Sequence, residues 1–413
     1  MTSEYPRIAF KQRIYDFFQW NLLERLVIYL IVSRFIAFCY VEIVLGEALF
    51  YYPRLTQWLF YGFLFTECLV SIRKIWRITI GFNVSTFFVI VLLVMLMHGV
   101  FIGFYRHNAL FTLFNDVIPI LMIALNVLRM QSASEQMHWN AERLFSIVSA
   151  FVGMQALLVL LVTRDSLTVS PLYFGLFAGS LLAQTPIRWR NWLWFLVIMA
   201  GSVQSLNRSS LLFLLVMLGL YLITLLRRNP SRVALVLGVS VISMVTIFSW
   251  LPQDSKLYQR IQGTQNIDLN ARSGSVGERQ QEWESINTSQ KSDSITADLF
   301  GLGMGGTFYM RQSHGSIPDY GHAHYSWAWF KLRFGDFGFI YLGLMIGVIL
   351  INIIKGFLLS THESLVIAFL GIASLIYCLT YVNAVFLMMG VQFFYLRPAL
   401  ARTKNQTTPL AEL

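Results

Sequence analysis

Long apolar stretches separated by short polar ones recur along nearly the whole chain; the exception is a polar segment from Pro252 to Arg333. Apolar runs of about 20 residues match the hydrocarbon thickness of a bilayer, which a helix crosses at about 1.5 Å per residue. The pattern predicts about twelve spans, near 24–45, 56–72, 83–104, 110–128, 143–163, 170–185, 190–206, 209–226, 232–251, 335–354, 364–380 and 383–397. The predicted fold class is therefore an all-α polytopic membrane protein with one large, partly helical outer loop between the ninth and tenth spans. Three parts follow: a transmembrane bundle of about nine spans over 1–251, the loop over 252–334, and a C-terminal bundle of about three spans with a tail over 335–413.

Composition agrees with the pattern. The chain is 56% hydrophobic and only 13% charged, against about 25% charged in soluble domains. Its net charge of +10 does not point to nucleic acid, because the basic residues are spread over short loops and form no single patch. Cys39, Cys68 and Cys378 all lie in apolar runs without ligand spacing, so neither a disulfide framework nor a zinc site is expected. The N-terminus lacks a short apolar core followed by a small-residue cleavage site, and the first span is expected to act as its own insertion signal.

Lys and Arg concentrate in alternate loops, which sets the orientation. Arg73, Lys74 and Arg77, then Arg129 and Arg143, Arg188 and Arg190, Arg227, Arg228 and Arg232, and Lys355 fall on the side shared by both termini, which is expected to be cytoplasmic. The short opposite loops hold one basic residue each, Arg54, Arg106, Arg164 and Arg208. The long polar segment then faces outward. It is longer than the roughly 12–15 residues of an ordinary connector, which marks it as functional or disordered, and it carries signals of order. Ser275 and Glu278 have capping-box spacing ahead of Arg279 to Ile286 and predict a short amphipathic helix. Gly301, Gly303, Gly305 and Gly306 mark backbone that turns tightly or approaches something closely. The run YSWAWF from Tyr325 leads back to the bilayer as an interfacial belt.

Candidate chemistry concentrates in and beside this loop. Arg208 stands at the outer mouth of a predicted helix, either as a snorkelling arginine or as a site group. Arg279 lies four residues before Trp283, so the two share a helix face. Either it pairs with Glu278, Glu282 or Glu284, or its planar fork clamps a phosphate. Arg272 and Arg311 are further candidates of the second kind, with Gly303 in the turn and His322 beside them as substrate-binding positions. His322 and His324 alternate in GHAHYSW and point to one side of an extended segment. An imidazole near neutral pKa suits proton abstraction from a hydroxyl, and a structural hydrogen bond is the alternative use. No carboxylate or cysteine stands at ligand spacing from the pair, no Asp-x-Asp motif stands on the outer side, and no metal or cofactor is expected. Glu282 and Glu284 point away from each other on a helix, which disfavours a two-carboxylate glycosidase. Arg34, Glu42, Glu67 and Asp116 fall within spans, where a charge costs about 2.5–3.5 kcal/mol unless paired or facing a cavity.

In order and topology these stretches resemble the bacterial O-antigen ligase and O-antigen polymerase superfamily. The residues that carry the resemblance are NRSS at Asn207 to Ser210, GERQQEW with Arg279 and Trp283, GLGMGG at Gly301 to Gly306, HYSW at His324 to Trp327, and GDFG at Gly335 to Gly338. Glu278 intervenes between glycine and arginine in the loop-helix motif, and Tyr325 replaces the asparagine usual after the histidine. The resemblance implies a metal-independent glycosyltransferase in the bacterial inner membrane, with its active site on the periplasmic loop. Its donor would be a glycan on undecaprenyl diphosphate, and its acceptor a sugar hydroxyl of a second glycan or of the lipid A core. A flippase and a chain-length regulator are implied as partners. His324 would be the base, and Arg208 with Arg279 would meet the charge of the departing diphosphate. The interval from His324 to GDFG leans towards polymerase over ligase. A flippase or other transporter is the rival class, but it should place its charges along a midplane cavity and show two related halves, and no half-to-half similarity is visible.

Overall fold

The computed structural model describes residues 22–40, 52–75, 84–132, 141–161, 274–312, 315–321, 323, 325–359 and 362–378, with isolated helical positions between 193 and 242. The described chain is predominantly helical. Helices α1 (Leu22–Cys39), α2 (Tyr52–Ile75), α3 (Val84–Tyr105), α4 (Leu110–Ser132) and α5 (Ala141–Leu161) come first. The polar segment then contributes α6 (Gly274–Asp293), α7 (Ile295–Phe300) and an antiparallel hairpin of β1 (Phe308–Gln312) and β2 (Gly315–Tyr320). Helices α8 (Ser326–Leu359) and α9 (His362–Cys378) complete the description. The predicted spans at 170–185 and 383–397 lie outside the described residues.

Two of these helices are long and apolar enough to cross a membrane: Thr86–Tyr105 within α3, with mean hydropathy 2.7, and α8, with 2.5. Only 33% of the first window and 39% of the second are buried. A helix in the core of a soluble protein would be covered on most sides, whereas here Met97, Phe101, Ile340, Ile354 and Leu358 are all more than half exposed. Apolar side chains facing outward all along a helix suit lipid as solvent.

Buried charge ties the helices together in pairs. Arg25 of α1 donates from Nε to Glu67 Oε1 of α2 at 2.7 Å, and the Tyr29 hydroxyl donates to the same oxygen at 2.6 Å. Asp116 of α4 meets Arg333 of α8. Two of the charges expected within spans, Glu67 and Asp116, are thus used for pairing one helix to another. α1 also packs on α5, α2 on α4, α4 on α3, α3 on α8, and α8 on α9.

The polar segment is docked on this bundle. Its buried residues Ile286, Ala297, Leu302, Met304, Phe308 and Met310 share one core with Leu92 and Leu96 of α3, Leu113 of α4 and Phe330 of α8. In β1, Phe308 and Met310 point inward while Tyr309 is exposed, the two-residue alternation of a half-buried strand. The hairpin departs from the all-α expectation. α6 is also longer than the helix expected there and begins at Gly274, so Ser275 lies inside the helix and not at its cap.

α8 begins at Ser326, inside the stretch expected to be loop, and bends at Gly335, where φ is +62°. Beyond the bend a methyl group on Gly338 would stand 2.5 Å from the carbonyl oxygen of Phe330, eight residues earlier, so the two arms fold against each other. One on Gly335 would stand 2.4 Å from the carbonyl carbon of Leu299. GDFG is therefore a hinge of close approach: Gly335 supplies the left-handed backbone and the room for α7, and Gly338 the room for the first arm. The second arm, 336–359, extends about 36 Å at about 1.5 Å per residue, enough to span hydrocarbon.

Candidate active site

The end of the bundle that carries the α3–α4 turn also carries the polar segment, and four stretches meet there. GLGMGG is wholly buried from Gly301 to Gly306. The Leu302 amide donates to the Leu332 carbonyl and the Met304 amide to the Gly99 carbonyl, each at 2.8 Å. Asn108 returns two bonds, from Nδ2 to the carbonyls of Met304 at 2.8 Å and Leu302 at 3.2 Å. Gly303 has φ +76°, and a methyl group there would stand 2.6 Å from the Gly103 amide nitrogen and 2.8 Å from the Gly99 carbonyl oxygen. What approaches Gly303 is thus the backbone of α3. A side chain at position 303 would push the loop off the helix.

Arg333 closes the base of the hairpin. It is 1% exposed, and its guanidinium donates to the carbonyl oxygens of Gly306, before β1, and Gly321, after β2, the latter at 2.8 Å. Its Nε stands 2.7 Å from Asp116 Oδ2 in ion-pair contact without hydrogen-bond alignment. The same carboxylate oxygen accepts the Gly305 amide at 2.8 Å. Two residues earlier, Lys331 places Nζ 2.6 Å from Asp298 Oδ1 of α7 and 2.5 Å from Asp336 Oδ1, just past the bend. Gln290 of α6 donates to the Lys331 carbonyl at 2.6 Å. Arg106 of the α3–α4 turn holds the end of α6 through a two-pronged pair with Asp293, one prong measuring 3.0 Å. That guanidinium keeps the Asp293 carboxyl below the usual aspartate value.

Arg279 differs from these cations. Among the described residues it forms no ion pair. Its Nη1 donates to the Tyr325 hydroxyl at 3.3 Å, and its guanidinium carbon lies 4.9 Å from the centre of the Tyr325 ring. Tyr325 stacks on Trp327 with ring centres 5.3 Å apart, and Trp327 packs on Trp283 at 4.4 Å. Arg279 and Trp283, on one face of α6, therefore engage a single aromatic strip at the entry to α8.

Of the residues singled out in the sequence, Arg279 and Trp283 come together on this strip, and Gly303 sits at the α3 contact. Arg311 lies in β1 opposite Ser316. Arg208, Arg272, His322 and His324 lie outside the described residues. Sequence reasoning missed Tyr325 as the partner of Arg279, the acids around Lys331, and the Arg333 clasp. A usable signal was present in KLRFGD, where two cations two residues apart precede an acid beside an aromatic run. Arg106 gave another, because a lone outer cation calls for a partner.

This arrangement defines a predominantly helical protein with two helices fit to cross a membrane and a polar, partly helical segment packed on their ends. No protein-family model matches the chain, and no curated protein matches it by sequence.

Proposed function

We propose that the chain is a metal-independent glycosyltransferase of the bacterial inner membrane, acting in surface polysaccharide synthesis. It has about twelve spans and cytoplasmic termini, and its periplasmic segment forms the active site. It moves a glycan from undecaprenyl diphosphate to a sugar hydroxyl, as a polymerase. The observation that carries this reading is Arg279, a guanidinium held on Tyr325 with no carboxylate to neutralise it among the described residues. An anion with two adjacent oxygens is the ligand such a fork suits. Tyr325 directly follows His324 in the sequence, which keeps the proposed acceptor base within one residue of the group that holds the donor cation.

In the reaction, the acceptor oxygen attacks the anomeric carbon as its proton passes to His324. The bond from that carbon to the phosphate oxygen breaks, and the electron pair leaves on the lipid diphosphate. Arg279 and Arg208 meet the growing negative charge, so a metal is not required for leaving-group stabilisation. A single displacement of this kind inverts the anomeric centre. General-base action by His324 contributes about 10²–10⁴-fold.

The test is complementation. Arg208→Ala, Arg279→Ala and His324→Ala are expressed in a host deleted for this gene, and its surface polysaccharide is resolved on a gel. Loss of the ladder with a single repeat still on the lipid core supports polymerase. Free polymer without attachment indicates ligase. Normal banding from all three variants at normal protein levels refutes the assignment.

A further inference from the structure

Tyr325 stands where the resembling family carries asparagine, so its placement at that position calls for a use. The structure offers one. The ring and the hydroxyl both engage Arg279, at 4.9 Å from ring centre to guanidinium carbon and 3.3 Å from Nη1 to Oη. The ring itself stacks on Trp327, nearly parallel at 24°, and Trp327 packs on Trp283. The chain on either side is fixed too: Ala323 and Ser326 are buried, and the Tyr325 carbonyl accepts the Trp329 amide at 2.9 Å as the first arm of α8 begins. A long, flexible arginine on a helix surface samples many rotamers, and a rigid aromatic face reduces that freedom without consuming its charge. A carboxylate in the same place would fix the side chain equally well but neutralise it.

We infer that Tyr325 is a positioning residue for the donor diphosphate: it holds the Arg279 guanidinium in place and leaves its positive charge available to the anion. This rests on the reading of Arg279 as the diphosphate clamp. The substituted position thus belongs to the donor side of the site, and the tyrosine acts through the arginine without touching the reacting atoms.

The test uses the full chain in nanodiscs and radiolabelled undecaprenyl diphosphate as the probe, comparing wild type with Arg279→Ala, Tyr325→Phe, Tyr325→Leu and the two double variants. Tyr325→Leu removes both contacts and is expected to weaken binding about tenfold, close to Arg279→Ala. Tyr325→Phe keeps the ring and is expected to cost only about threefold. Neither tyrosine variant weakens binding further once Arg279 is replaced by alanine, because the tyrosine then has nothing to hold. A purely structural tyrosine would add its loss to that of Arg279→Ala. Should Tyr325→Leu not reconstitute, Tyr325→Phe decides: a loss with Arg279 present and none in the Arg279→Ala background supports the role. Weak binding by Arg279→Ala with normal binding by Tyr325→Leu, or additive losses, overturns the role of Tyr325 alone. Wild-type binding by Arg279→Ala overturns the diphosphate clamp itself, and the tyrosine's role with it.

Discussion

Replacing Asp116 by alanine probes the joint on which the polar segment is seated. The carboxylate faces the Arg333 Nε at 2.7 Å and accepts the Gly305 amide at 2.8 Å, with the Trp329 side chain as a further donor. Arg333 is 1% exposed, so its charge cannot turn to water when the partner is removed. Breaking a buried pair from one side costs about 3–5 kcal/mol, and an orphaned buried amide about 1–3 kcal/mol. These figures do not simply add, because one oxygen serves both groups. The carbonyls of Gly306 and Gly321 still accept from the guanidinium, so the low end is appropriate, about 3 kcal/mol. At roughly 2 °C per kcal/mol for a chain larger than about 150 residues, the unfolding temperature should fall by about 6 °C. The assay is thermal unfolding of the full-length protein in detergent, followed by intrinsic fluorescence. Asp116→Asn, which keeps an acceptor oxygen, should fall less. Removing both charges with Asp116→Ala and Arg333→Met should cost less than the sum of the single losses. An Asp116→Ala protein within about 2 °C of wild type, or strict additivity in the cycle, would show that the ion pair does not hold the segment down.

Other expectations follow from the same structure. Gly303→Ala and Gly335→Ala combine positive φ with contacts of 2.6 and 2.4 Å to backbone, and both should remove folded protein from the membrane fraction; Gly343→Ala, with nothing within 4 Å, should accumulate as wild type. Because Arg106 lowers the Asp293 pKa, the pair stabilises the fold above the ordinary aspartate value of 3.8, and that contribution is lost as pH falls through the lower folded value. Asp293→Asn should therefore unfold below wild type at about pH 6, with the gap shrinking towards pH 3, and a gap that widens on acidification contradicts the assignment. Glu67→Ala should destabilise the α1–α2 pair, and adding Arg25→Met should recover part of the loss, read by the same thermal unfolding. A cysteine placed at the exposed Thr288 of α6, in a chain with Cys39, Cys68 and Cys378 replaced, should react with a membrane-impermeant maleimide added to intact spheroplasts; reaction only after lysis would put the segment on the cytoplasmic side.

Much of the helical framework was legible because an apolar run of bilayer length has few alternatives. The windows near 24–45, 56–72, 83–104, 110–128, 143–163, 335–354 and 364–380 each overlap a described helix. GLGMGG was legible as a close approach but not as an approach to α3, since Gly99 and Gly103 lie about 200 residues away and look like ordinary span glycines. The hairpin was hidden for a physical reason. β1 offers only Phe308 and Met310 as an alternating pair, and β2 carries Pro318, so period and composition both argue weakly for strands. The bend in α8 was masked by its own surroundings. The aromatic run from Tyr325 reads as an interfacial belt, whereas its residues 328–330 are buried in the first arm. Arg333 lies in the part of the sequence expected to be loop, and only the fold brings it to Asp116 more than 200 residues earlier.

Among the described residues, the distribution of charge separates the cations paired with acids from Arg279. Arg25, Arg106, Lys331 and Arg333 each meet a carboxylate, and each joins two elements of the fold. Such cations are already neutralised, and a second anion beside them would compete with the pair that holds the structure. Arg279 rests on an aromatic ring and a hydroxyl instead. A guanidinium keeps its full charge on such a support, because the ring attracts it without accepting a bond from it or cancelling it. The diphosphate site proposed above would need a cation that is fixed in place and uncompensated, and a tyrosine partner satisfies both requirements where an aspartate satisfies only the first. The paired cations nearby then have a supporting part: Arg333, through Gly321, and Lys331, through the two arms of α8, fix the stretch from which Tyr325 reaches Arg279.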